Sequence, residues 1–153
     1  MKAIAEILAQ NEVLKGLPEE HLALLSDCAR NVVFESGNDL LTPGQEADRF
    51  FILRSGTVVL DLPYEHGAIA IQHLKGGDFL GWSWLLPNPK WLFRARALEK
   101  VHAVEVDAKC VRKKFESDSA FELRLLKRLL PLSVKRLNAT QEQLLEAYKA
   151  REE

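Results

Sequence analysis

Residues 50–62, Phe50-Phe51-Ile52-Leu53-Arg54-Ser55-Gly56-Thr57-Val58-Val59-Leu60-Asp61-Leu62, read as a strand, a tight turn and a returning strand. Phe50 to Leu53 is a short apolar run, Ser55-Gly56 carries turn chemistry, and Thr57 to Leu62 is the hairpin partner. The same pattern repeats outward. Upstream, a period of two begins at Asn31 with Val33 and Glu35, turns at Gly37, resumes at Leu40-Leu41 and breaks at Pro43-Gly44. Downstream, Ala68 to Leu74 alternates through Ile69 and Ile71 and ends at Gly76-Gly77. Trp91 to Leu98 and Val101 to Val106 form one more pair. Strands this short, punctuated by Gly or Pro, predict an antiparallel sandwich or barrel of roughly eight strands rather than βαβ units.

Both flanks of this β unit change to helical spacing. Ile4, Ile7, Leu8 and Val13 mark a helix over residues 2–13, and Lys15-Gly16-Leu17-Pro18 ends it. Pro18 opens a second helix that runs to about Arg30, with Glu19 and Glu20 near its positive end. From Ala108 the period returns to 3.6, first in a short helix carrying Val111 and Phe115. Ser117 or Ser119 is the expected cap of the last helix, with Glu122 completing a capping box. Leu126, Leu130, Val134, Leu137, Gln141, Leu144 and Tyr148 then follow at steps of three and four. This seam would run about 45 Å, longer than a small barrel needs for packing. Pro131 lies inside it and is expected to kink or split it. With no repeat and no linker, the chain divides as one domain: helices over 1–30, a barrel over 31–107 and helices over 108–153.

Composition excludes several classes. With 153 residues, 47% hydrophobic and 28% charged, the chain has the makings of one globular core and not of low-complexity disorder. Its longest apolar runs are far short of the roughly 20 residues a membrane helix needs. The start reads as an amphipathic helix, and with no export signal a cytoplasmic location is expected. Cys28 and Cys110 lack CxxC spacing and are expected to be reduced thiols. His21, His66, His73 and His102 are scattered, so no metal signature is present. Net charge is −1, yet residues 109–136 hold nine Lys or Arg against three Asp or Glu. A solvated helix face is the expected reason, over contact with an anion or nucleic acid.

The pattern as a whole resembles the cyclic nucleotide-binding domain of the catabolite-activator and protein-kinase-regulatory type. The residues that carry the likeness are Leu14-Lys15-Gly16-Leu17, Phe34, Gly37, Gly44, Asp48, Phe50, Phe51, Ile52, Gly56, Thr57 and Val58, then Gly76-Gly77-Asp78-Phe79-Leu80-Gly81 and Arg96-Ala97-Leu98. The resemblance implies a mainly β fold with flanking helices: a double-stranded β-helix, or jelly-roll, with N-terminal helices and a long C-terminal helix. It implies a cyclic nucleotide such as cAMP or cGMP as the ligand class. It places a phosphate-binding cassette in residues 77–97, built from a helix start, an arginine and a ribose-binding glutamate.

The cassette departs from that pattern. Trp82 follows Gly81 where the glutamate is expected, Ser83 to Leu86 can form the short helix with Ser83 as cap, and Pro87-Asn88-Pro89-Lys90 is the loop. Counting forward puts the family's arginine position near Trp91, whereas a loop deletion of two or three residues would bring Arg94 there. If Trp91, Phe93, Ala95 and Ala97 face the core, Arg94 and Arg96 share the other face. They are then either an anion site or surface arginines paired with Asp78 or Glu99. Trp82, Trp84 and Trp91 are either packing or a wall that stacks a flat ligand. The candidate site is therefore Gly81, Trp82, Ser83, Trp84, Arg94 and Arg96. An indole in place of the ribose acceptor predicts weak binding, or none, of ordinary cyclic AMP.

Two readings of function remain. One is a stand-alone sensor that binds a small anionic, nucleotide-type ligand and signals to a partner protein through its C-terminal helix. The other is a ligand-free dimerisation or protein-interaction domain with its pocket filled by tryptophan. In both, the resemblance implies a homodimer through the last helix. A DNA-reading helix-turn-helix would need several tens of residues beyond that helix, so direct DNA binding is not expected. No catalytic constellation is legible, and a cupin-like enzyme would need a histidine cluster.

Overall fold

A computed structural model describes residues 3–152. Lys2, at the expected start of the first helix, and the extreme ends of the 1–153 unit lie outside the described residues. Helices α1 (Ile4–Gln10) and α2 (Glu19–Asp27) precede eight strands: β1 (Ala29–Phe34), β2 (Asp39–Leu41), β3 (Arg49–Ser55), β4 (Val58–Tyr64), β5 (Gly67–Leu74), β6 (Phe79–Leu80), β7 (Arg94–Ala97) and β8 (Val101–Asp107). Helices α3 (Ala108–Ser117) and α4 (Ser119–Glu152) follow. The strands form two antiparallel four-stranded sheets, ordered β1-β8-β3-β6 and β2-β7-β4-β5. This is the expected jelly-roll with flanking helices. No helix among the described residues is long and apolar enough to cross a membrane.

The hairpin of residues 50–62 shows why the barrel closes. Phe51 and Leu53 point between the sheets, packing with Val58, Leu60, Leu80, Ala95, Ala97 and Ala103. Phe50 and Ile52 point the other way, into a second core with Leu8, Leu25, Val111, Phe121, Leu125 and Leu129 of the helices. A strand buried on both faces reads as a continuous apolar run. Gly56 makes the turn at φ +89°, where a Cβ would stand 2.4 Å from the Lys100 carbonyl oxygen. Only glycine fits that position.

Several local expectations change in the folded chain. Strand β7 starts at Arg94, not Trp91. The cap of α4 is Asp118, whose Oδ1 accepts from the Phe121 N–H at 3.0 Å, while the Ser117 hydroxyl turns back to the Lys114 carbonyl. A carboxylate at that position satisfies an orphan donor and complements the helix dipole. Helix α4 is not split at Pro131. The carbonyl that Pro131 leaves without a donor belongs to Lys127, an exposed residue on the solvent side of the helix.

The cysteines are not free thiols: Cys28 and Cys110 form a disulfide across 82 residues of sequence. Cys28 caps the end of α2 and Cys110 lies in the first turn of α3, and their Cα atoms stand 5.6 Å apart. Strand β1, which follows α2, pairs with β8, which leads into α3, with Ala29 opposite Val106. That pairing brings the two cysteines together.

Two arginines of the basic stretch also have structural work. Arg128 of α4 donates to the Lys15 and Val13 carbonyls, closing the turn after α1. Arg112 of α3 donates to the Trp84 carbonyl.

Candidate ligand-binding site

The cassette begins at Gly81, which leaves β6 with φ +103°. A Cβ there would stand 2.9 Å from the Trp91 ring, so the absent side chain lets that buried indole pack against the turn. Ser83–Leu85 form a 3-10 turn rather than an α-helix, and the Ser83 hydroxyl makes no cap. Trp84, at 1% exposure, stacks on Phe50 with ring centres 4.8 Å apart and an interplanar angle of 13°. It is a core side chain that holds the cassette to the barrel. Trp82 is half-buried and stacks on Phe79 at 6.3 Å. Of the cassette's three indoles, Trp82 alone retains an exposed face.

Arg94 and Arg96 share the face opposite buried Ala95 and Ala97, as the alternation predicts. Their partners are not Asp78 or Glu99. Arg94 forks onto Asp61, directly across in β4, with Nε to Oδ1 at 3.0 Å and Nη2 to Oδ2 at 2.7 Å. This hydrogen bond is the largest cause of the upward shift of the Arg94 pKa from its usual value. Arg96 donates to Asp39 of β2 at 3.1 Å, again a cross-strand pair. Asp78 instead accepts from the Lys75 N–H, and Glu99 from the Thr57 hydroxyl. Bidentate pairing of a buried carboxylate with arginine is strong and leaves little for a second anion.

Two adjoining cavities lie between the barrel and α4. The inner one, about 50 Å³, is lined by Leu41, Leu60, Leu80, Gly81 and Phe93, and the outer groove, about 190 Å³, by Leu74, Asp78, Leu132 and Lys135. Both share Gln72, Phe79, Trp82 and Arg136. The six candidate residues therefore do not converge. Gly81 and Trp82 border the cavity, Trp84 is in the core, Ser83 lies in the turn, and Arg94 and Arg96 line neither space.

Arg136 was not among the residues singled out from the sequence. It continues the barrel-facing stripe of α4, Phe121, Leu125, Leu129 and Leu132, at steps of three and four. A basic side chain on such an apolar stripe is the signal that could have found it. Its Nη2 donates to the Ile71 carbonyl at 3.4 Å, a weak bond, and no carboxylate pairs with it among the described residues. Burial pulls its pKa down from the usual arginine value. A second cleft, bordered by Arg30, Arg49, Glu105 and Asp48, has its charges already matched. Arg30 and Arg49 both bond to Glu105, and Arg49 also holds the Asp48 carboxyl below its usual pKa.

The profile of the cyclic nucleotide-binding domain family matches residues 31–118. The fold is similar to a cyclic nucleotide-binding domain from Methylobacillus flagellatus KT, with a TM-score of 0.80, 16% identity, and coverage of 95% of this chain and 82% of that one. It is also similar to the c-di-GMP-responsive global regulator CLP of Xanthomonas campestris, with a TM-score of 0.72 and 16% identity over 83% of this chain and 63% of that one. A 56-residue stretch, 37% of this chain, is 41% identical to glutaminase 1 of Bradyrhizobium diazoefficiens and spans only 9% of that protein.

Proposed function

The chain belongs to the cyclic nucleotide-binding domain family, and from that premise we propose that it is a regulatory domain that binds a small anionic, nucleotide-type ligand between barrel and α4 and signals through that helix. The carrying observation is the pair of cavities shared by Trp82 of the cassette and Arg136 of the helix. Up to Leu129, α4 is anchored in the core; beyond Pro131 Arg136 and Gln143 tie it to the barrel, both donating to the Ile71 carbonyl. A ligand that engaged Arg136 would compete for one of those ties and shift the helix. A second reading, a ligand-free dimerisation domain, is favoured by the burial of Trp84 and Trp91 where ligand walls would otherwise stand.

Calorimetric titration with cyclic AMP, cyclic GMP and cyclic di-GMP separates the two. The expected result is binding of at least one, with cyclic AMP bound weakly. A ribose hydroxyl buried beside Trp82 without an acceptor costs about 1–3 kcal/mol, or about 5- to 150-fold in affinity. Absence of heat and of thermal shift with all three selects the ligand-free reading.

Both readings include a homodimer. Leu130, Val134, Leu137, Leu144 and Tyr148 are exposed on α4 and, with Gln141, follow steps of four and three. Leucine at one repeating position and a β-branched residue with a polar one at the other is the pattern of a parallel two-stranded coiled coil. The flanking Ser133, Asn138, Thr140 and Ala147 carry no charge, so two copies meet without like-charge repulsion. Sedimentation should show a dimer that Leu137→Arg converts to a monomer. A wild-type monomer at micromolar concentration would remove this part of the proposal.

A further inference from the structure

Resting on the ligand-binding reading above, we propose that the anionic group of the ligand is held by Arg136 on α4 and not by an arginine of the cassette, so that the ligand is a flat ring system carrying one negative charge, turned with its charge toward the helix. No cation of the cassette borders either cavity, and Lys90 lies exposed in its loop. Arg94 and Arg96 are occupied by Asp61 and Asp39, across strands and on the face turned away from Ala95 and Ala97. Trp91, at the counted arginine position, is buried against Gly81.

Arg136 has the opposite character. It borders both cavities, it has no carboxylate partner among the described residues, and its guanidinium makes a long hydrogen bond to the neutral Ile71 carbonyl. A guanidinium kept partly out of water without a counter-charge gains from any anion placed beside it. The surroundings select what carries that anion. Trp82 and Phe79 lie nearly parallel at 17°, forming an apolar, aromatic wall suited to a planar ring. Gln72 adds an amide able to donate or accept. Lys135 and Asp78 line the outer groove, and Asp78 Oδ2 accepts from the Lys75 N–H at 2.9 Å. No carboxylate lines the inner cavity, so a sugar hydroxyl there lacks a strong acceptor. A ligand recognised by ring and charge needs no such group.

The test titrates cyclic AMP, cyclic GMP, indole-3-acetate and neutral adenosine into wild type, Arg136→Gln and Arg96→Gln, following heat and Trp fluorescence, with a thermal melt to confirm each variant folds. Arg136 makes one weak bond, so the glutamine variant is expected to fold normally. The expected result is that an anion that binds wild type loses at least tenfold in affinity in Arg136→Gln and is unchanged in Arg96→Gln, while adenosine does not bind. If an anion binds Arg136→Gln as tightly as wild type, this inference fails and the ligand-binding reading stands. If adenosine binds as well as the anions, the charge assignment is overturned. If no probe binds wild type, this inference falls, and if cyclic di-GMP gives no heat either, the ligand-binding reading falls with it.

Discussion

A Cys28→Ser, Cys110→Ser double variant is expected to be about 4.5 kcal/mol less stable than the oxidised protein. The figure follows from the loop-closure entropy of the unfolded chain when a crosslink spans 82 residues. It is a third or more of the total stability of an ordinary domain. The native structure adds its own reason. The bond ties the end of α2 to the first turn of α3, beside the core that also takes in Leu25, Val111, Phe121 and Leu125. Denaturant unfolding of oxidised, reduced and double-variant protein measures it. Superimposable transitions for all three would show that the bond does not restrain the chain. A loss confined to the variant and absent on reduction would point instead to the serine hydroxyls buried in place of sulfur.

The second large effect separates two neighbouring indoles. Trp84→Ala should lower stability by about 3–5 kcal/mol, the usual cost of emptying a buried aromatic site. At this chain length the melting temperature would fall by about 10 °C. The reason is its stacking on Phe50 and its place in the core with Phe79, Phe121 and Leu125. Trp82→Ala removes a half-exposed ring, and its expected effect is about 1 kcal/mol on stability but a clear loss of ligand affinity. Thermal melts paired with calorimetry read both quantities. Equal melting temperatures for the two variants would mean that Trp84 is not a core side chain.

The jelly-roll was legible because its determinants are local. Alternation in Ala68 to Leu74, the continuous run Phe50–Leu53 and the turn at Gly56 each act within a few residues, through strand pleat and backbone sterics. The alternation even placed Arg94 and Arg96 correctly on one face. It did not name their partners, because those are chosen by register. A bulge between Leu60 and Asp61 shifts the β4–β5 ladder, and in the β4–β7 ladder Asp61 stands across from Arg94. The last helix was legible as a helix, with a heptad seam. Its barrel-facing stripe, Phe121, Leu125 and Leu129, was not distinguished from that seam, since both repeat at three- and four-residue steps.

By itself the amino-acid sequence determined most of the elements and the turn positions, because each of these depends on neighbours along the chain. Tertiary structure alone decided which cysteines meet, which carboxylates occupy the cassette arginines, and that Arg136 reaches a cavity bordered by a residue 54 positions earlier in the chain. Those are contacts between distant segments, and they are set by how two sheets and four helices pack around two cores rather than by any local period.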